Sequence, residues 1–268
     1  METVLKELVL REDTGSVAVV TLNRPERHNS LVPELLEALL DAVYAVESDP
    51  AIRAMVLQSN GRSFSTGGDA QGFVNHQDSL EEYSRTIVGL LNEVMRSMME
   101  LRMPIVTAVH GIVTGGAMGL VLASDIVLVT AEASFTPYYS EVGVSPDGGW
   151  TALLPSIIGI NRAATILILN ETITAGQALD WGIAMQYVPA GQIRNAALET
   201  AIEITRKKPS SLAHTKKLLR RERSRIKFAL EEELEHFVQQ ITSEEGTRAF
   251  SAFLEKLRSD RRRDEIIA

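Results

Sequence analysis

Cysteine is absent from this 268-residue chain, which removes disulfides, thiolate metal sites and a cysteine nucleophile at one stroke. Basic residues are in the minority. With 27 Lys and Arg against 35 Asp and Glu, the net charge of −8 argues against a broad phosphate-binding face, so no nucleic-acid partner is expected. Long apolar runs are missing as well. The opening "METVLKELVLREDTGS" is broken by charge every few residues, and the longest apolar stretches elsewhere are too short or too glycine-rich to span a bilayer. The closing "DEIIA" is not a peroxisomal address of the SKL type. The expectation is a cytoplasmic protein with no membrane partner. His28, His76, His110, His214 and His236 form no HExxH or similar ligand set, so no metal is expected. Neither GxxxxGK[ST] nor GxGxxG occurs, which leaves a nucleotide cofactor without support.

What the chain does have is 45% hydrophobic residues, enough at this length for a large core. "KELVLRE" and "SVAVVTL", separated by "DTGS", read as a hairpin. "VPELLEALLDAVYAVESD" has apolar residues at helical spacing with Pro33 in its first turn. "IRAMVLQS", "MPIVTAVHG" and "ASDIVLVTA" read as strands, with a helix over 79–101, and such alternation predicts an α/β arrangement with crossovers. From Thr151 onward the pattern is helical except for the extended "AMQYVPA". There is no internal repeat and no low-complexity tract.

Two glycine clusters follow predicted strands: "GRSFSTGGDA" and "HGIVTGGAMGLVLASD". Glycine permits close backbone approach and lets peptide N–H groups converge on one oxygen that becomes negative during a reaction. The same glycines would equally serve tight turns and close helix packing. In "SPDGGWTALLP" a lone acid, Asp147, precedes two glycines. It has two readings, the N-cap of a helix starting near Trp150 or the base of an active site.

Taken in order, "RPERHNSL", "FSTGGD", "PIVTAVHGIVTGGAMGLVLASD", "ASFTPYYSEVGVSPDGGWTALLP" and "TITAGQALDWGIAMQYVP" resemble the crotonase superfamily, the enoyl-CoA hydratase/isomerase family, from about Leu8 to Arg258. The resemblance implies an α/β fold, a crotonase-like spiral of ββα units over residues 1–200, with a C-terminal helical assembly and lid region over 201–268. It implies an acyl-CoA thioester substrate, no separate cofactor because coenzyme A is part of that substrate, and a homotrimer or hexamer. Carried over by motif, the oxyanion donors are the N–H groups of Gly68 and Gly116, which together would stabilise a thioester enolate. Substrate contacts are expected from Arg27, His28, Asp69 and Ala70, and from the pocket residues Phe64, Tyr139 and Trp150, with Lys217 and Arg221 as further candidates for the phosphates.

The resemblance breaks at the two glutamates that hydratases of the family use, because the matching positions here are Gly119 and Tyr139. Glu141 lies two residues beyond the second position and is the one acid that a shifted alignment would supply. Asp147 instead matches the aspartate of the Asp-dependent enoyl-CoA isomerases of the phenylacetate-pathway type, and also the nucleophilic aspartate of the superfamily's dehalogenases. The expectation is therefore a β,γ to α,β double-bond shift with Asp147 as the catalytic proton shuttle. The alternatives are nucleophilic chemistry by Asp147 on an aryl- or acyl-CoA, a hydratase with a displaced acid, and a non-catalytic CoA-binding paralogue.

Overall fold

The computed structural model describes residues 7–267. Lys6, which opens the first expected strand, and Ala268, which ends "DEIIA", lie outside the described residues. The chain begins with β1 (Val9–Thr14), β2 (Val17–Leu22), α1 (Pro33–Ser48), β3 (Ala54–Ser59), α2 (Ala70–Asn75) and α3 (Leu80–Glu100). There follow β4 (Ile105–Val109), β5 (Ile112–Thr114), α4 (Met118–Leu122), β6 (Ile126–Val129), β7 (Ser134–Thr136) and α5 (Tyr139–Val142). Next come α6 (Leu154–Ile158), α7 (Ile160–Leu169), β8 (Ile173–Thr174), α8 (Ala175–Asp180) and β9 (Gln186–Tyr187). The chain closes with α9 (Ile193–Thr205), α10 (Pro209–Leu219), α11 (Arg223–Ile241) and α12 (Glu244–Ile267).

The expected hairpin is β1 against β2, antiparallel, with Gly15 at φ +60° in the two-residue loop where such a turn needs positive φ. The larger sheet runs β1-β2-β3-β4-β6-β9, and every pairing after the first is parallel. Parallel strands are covered on both faces, and the strict alternation of side chains divides them between two cores. Met55 and Leu57 of β3 enter the main core, whereas Ala54 and Val56 meet Ile193, Ala197 and Ala201 of α9.

A second sheet, β5-β7-β8, was hidden in the sequence because its strands are two or three residues long and embedded among glycines. It connects to the first sheet through Gly111, whose backbone at φ +63° packs on the Arg62 carbonyl so closely that a side chain would not fit. The α/β class and the C-terminal helices agree with expectation. Among the described residues no helix is long and apolar enough to cross a membrane.

Two of the C-terminal helices are tied to the core by polar groups. Asn92 of α3 donates to the Leu230 carbonyl of α11 at 3.0 Å. Lys216 of α10 is buried, with its ammonium 2.7 Å from Asp125 and donating to the carbonyls of Met98 and Met103 at 3.0 and 3.1 Å. Burial pulls the Lys216 pKa down, against the opposing pull of Asp125.

Removing one partner of such a pair strands the other. Lys216→Ala should lower the unfolding free energy by about 3 kcal/mol in a urea titration, with the neighbouring exposed Lys217→Ala within about 0.5 kcal/mol of the parent.

Candidate active site

The two glycine turns meet. Loop 65–69 lies beside β5 through a bridge between Ser65 and Val113. Gly67, at φ +70°, rests against the Thr114 carbonyl, where an added methyl would stand 2.6 Å from the oxygen. The neighbouring bridge between Leu31 and Gly68 uses the Gly67 carbonyl and the Asp69 N–H, so the intervening N–H of Gly68 is not spent in the pairing. Gly116 lies in the 3-10 turn Gly115–Ala117 that leads into α4. N–H groups in a first helical turn have no internal acceptor.

Asp147 joins this place from the other side. It is buried, and a methyl on Gly116 would stand 3.1 Å from its Oδ2. The next residue, Gly148 at φ +62°, is pressed against Gly116, where an added Cβ would be 2.7 Å from Gly116 Cα. Trp150 completes the clamp by donating its indole N–H to the Gly115 carbonyl at 2.8 Å.

The Tyr139 hydroxyl donates to Asp147 Oδ1 at 2.5 Å and reaches the Asp147 carbonyl at 3.0 Å. Its placement at the start of α5 rests on Tyr138, a non-glycine residue at φ +62° whose N–H is held by Asn170 Oδ1 at 2.8 Å.

The electrostatics are those of an acid kept from water. Burial raises the Asp147 pKa to about 7, with the negative charge of Glu233 pushing the same way and the Tyr139 hydroxyl pulling it down. Burial and the adjacent Asp147 charge lift the Tyr139 phenol well above its ordinary value, so it remains a hydrogen-bond donor.

The capping reading of Asp147 does not fit this geometry. The regular helix begins at Leu154, not near Trp150, and the Asp147 side chain faces Tyr139 and Gly116. The free N–H groups of the turn are taken instead by Glu233 of α11. Its Oε2 accepts from Gly149 N at 2.8 Å. Its Oε1 accepts from Thr151 N at 2.8 Å, Thr151 Oγ1 at 2.6 Å and Ala152 N at 2.9 Å. Sequence reasoning missed Glu233, although a signal was present: of the three glutamates 231–233, it alone is buried, on the same helix stripe as Leu230, Phe237 and Ile241.

The remaining expected residues divide into two groups. Arg27 and Asp69 line a groove of about 780 Å³ together with Arg24, His76 and Tyr83. Asp69 caps α2 by accepting from Gln71 N, and binds Arg24 at 2.6 Å, Arg27 at 3.0 Å and the Ser30 hydroxyl at 3.0 Å. Burial opposes its charge, but those donors prevail and hold its pKa at about 2. One arm of Arg27 is thus engaged, with its side chain still 41% exposed. His28 is contacted by the Ser63 hydroxyl at 3.2 Å, and Ala70 is the first residue of α2. Phe64 and Trp150 are fully buried in the main core and line neither this groove nor a second cavity of about 500 Å³ bounded by Phe73, Leu80, Ile241 and Phe250. Lys217 and Arg221 are exposed on α10 and just after it. Among the described residues no cluster of His, Asp or Glu is arranged to hold a metal.

At Gly119, the first hydratase position, an added Cβ would lie 2.5 Å from Met95 Sδ and 3.0 Å from the Gly148 carbonyl. Glu141, on α5, is exposed. It stands about 200° around the helix from Tyr139.

Residues 12–262 match the family model for enoyl-CoA hydratase/isomerase. The chain is 32% identical to the 1,2-epoxyphenylacetyl-CoA isomerase of Escherichia coli over 198 residues, 74% of this chain and 76% of that one. It is 28% identical to a 4-chlorobenzoyl coenzyme A dehalogenase of Arthrobacter over 262 residues, 96% of this chain and 92% of the other. The crystal structure of an enoyl-CoA hydratase from Bacillus halodurans superposes with a TM-score of 0.86 at 26% identity, covering 91% of this chain and 99% of that one. With matching motifs, fold and length, this chain is a member of the enoyl-CoA hydratase/isomerase family, the crotonase superfamily.

Proposed function

We propose that the protein is an enoyl-CoA isomerase in which Asp147 moves a proton from C2 to C4 of a β,γ-unsaturated acyl-CoA while the double bond shifts to the α,β position. The observation that carries this reading is the buried Asp147 carboxylate, set against Gly116 and hydrogen-bonded to Tyr139, while neither hydratase position holds an acid.

The thioester carbonyl accepts from the N–H groups of Gly68 and Gly116, which makes the C2 proton more acidic and stabilises the enolate; one such donor is worth about 3 kcal/mol. Ionised Asp147 takes the C2 proton. The electron pair moves through C2–C3 and the former C3–C4 double bond, and the same carboxyl returns the proton to C4, so the base is regenerated and no water is consumed. A base with a pKa of about 7 suits proton transfer in both directions near neutrality. Coenzyme A arrives with the substrate, its phosphates near Arg27 in the larger groove, and the chemistry requires no further cofactor. Residues 201–268 are assigned to assembly and covering of the site, in a trimer or hexamer, with Leu218, Leu219 and Phe228 as exposed apolar candidates for the contact.

The similarity to the dehalogenase over nearly the whole chain favours a second reading, attack by Asp147 on an aryl-CoA. Among the described residues Asp147 has no histidine as a hydrogen-bond partner to activate the water that would release such an ester.

Purified protein given a 3-enoyl-CoA should generate the ultraviolet absorbance of a conjugated thioester and leave that of a 2-enoyl-CoA undiminished. Fading of the 2-enoyl signal as water adds would overturn the isomerase reading. Halide release from a chlorobenzoyl-CoA would favour the second.

Asp147→Asn should lower kcat by about 100-fold or more while CoA affinity is kept. The same variant reads out stability. A carboxyl raised from 3.8 to about 7 binds its proton more tightly in the folded chain, so its contribution is present at low pH and lost as pH rises through that window. Asp147→Asn should therefore raise the melting temperature at pH 8 relative to the parent, and by more than at pH 4.

For the parent, kcat/KM should fall as pH drops below about 7, where Asp147 becomes protonated. Tyr139→Phe removes a donor to the charged form and should move this limb to higher pH.

A further inference from the structure

The turn that presents Asp147 has little reason of its own to hold still. Gly148 and Gly149 follow it directly, both at positive φ, +62° and +80°, and glycine is the residue with the most backbone freedom to lose. Tyr139 and Trp150 hold the turn at Asp147 and Gly115, and what holds residues 149–152 comes from 84 residues further along the chain. The Glu233 carboxylate accepts from Gly149 N, Thr151 N, Thr151 Oγ1 and Ala152 N, at distances between 2.6 and 2.9 Å. An uncharged cap would satisfy N–H groups as well. Here the chain places a glutamate, 4% exposed, on the apolar stripe of a long helix behind a second acid, where burial raises its pKa and the donors of Gly149, Thr151 and Ala152 oppose that rise.

We propose that Glu233 is a positioning residue for the reaction: its carboxylate pins residues 149–152 so that Asp147 is pressed to Gly116, and its charge faces Asp147 across the turn. The inference rests on Asp147 being the base. The Tyr139 hydroxyl from α5 and Gly116 from the 3-10 turn face Asp147 directly, and Glu233 of α11 is bound to the turn behind it, where its charge acts on Asp147. Leu91 and Met95 of α3 close the same place with apolar atoms, against Gly116 and Gly119. Burial is the main cause that raises the Asp147 pKa, and the Glu233 charge behind the turn pushes in the same direction.

Glu233→Gln is the discriminating variant. Gln keeps an oxygen for Thr151 and Ala152 but turns an amide donor toward the Gly149 N–H, releasing the turn next to Asp147 and removing the charge together. Two readouts are paired. One is the pH profile of 3-enoyl-CoA isomerisation. The other, independent of turnover, is a ¹³C NMR titration of aspartate carboxyls, with the Asp147 signal identified by its loss in Asp147→Asn.

Glu233→Gln is expected to move the Asp147 titration to lower pH and to reduce kcat about tenfold with KM nearly unchanged. Glu233→Ala should reach roughly 100-fold, the cost of a misplacement of about 1 Å. An Asp147 titration and kcat both unmoved in Glu233→Gln, with only the melting temperature lowered, would overturn the proposal and leave Glu233 a structural brace. If the parent does not turn over 3-enoyl-CoA, the isomerase reading fails, and the NMR titration alone decides. A downward shift upholds the role of Glu233 in setting Asp147, and no shift refutes it. Should Glu233→Ala not fold, Glu233→Gln suffices.

Discussion

A carboxylate buried with no cation beside it among the described residues is the constraint around which this molecule is arranged. Asp147 has a phenol and Gly116 for close neighbours, with Gly148 next in the chain and a second acid behind the turn. Buried charges are expected to be paired or amply hydrogen-bonded. Asp69 follows that rule, with two arginines, a serine hydroxyl and a helix N–H around it, and its acidity increases. Asp147 does the reverse. The same side-chain chemistry is therefore tuned in opposite directions within one site region. One acid is locked as a permanent anion that organises Arg24 and Arg27, and the other is left poised between its two forms.

Close packing of backbone makes this arrangement reachable. Gly116, Gly119 and Gly148 remove side chains where three chain segments converge, and each would meet a neighbour within 3.1 Å if a methyl were added. Their absence lets an aspartate come up against the Gly115–Ala117 turn from behind. A glutamate at position 119 would displace Met95 and the Gly148 carbonyl. The change from the hydratase pattern is thus not the loss of two acids from an otherwise unaltered pocket. The volume at one position admits the loop that carries Asp147, and the hydroxyl at the other hydrogen-bonds to it.

Much of the fold was legible from hydrophobic pattern, because the long elements bury continuous faces: β2, β3, β4, α1, α3 and the C-terminal helices lie where their apolar spacing placed them. The small second sheet was not, since two- and three-residue strands carry no period to read. For the site, ordered motifs drew attention to Gly68, Gly116 and Asp147. Whether Asp147 caps the next helix depended on where that helix starts and on what else takes the free N–H groups, neither of which the motif itself carries. Phe64 and Trp150 illustrate the same limit, because an aromatic residue near a motif reads alike whether it lines a cavity or fills the core.

The Glu233 contact spans 84 residues, Lys216 reaches 118 residues back to Met98, and Arg85 meets Glu235 across 150. During synthesis, which proceeds from the N-terminus, every motif of the acyl-CoA chemistry has left the ribosome before α11 exists. A nascent chain therefore holds the glycine turns, Asp147 and the Tyr139 and Trp150 contacts but not the carboxylate that binds residues 149–152. Completion of the last third of the protein is, in this sense, the step that brings the Glu233 carboxylate to the turn behind Asp147.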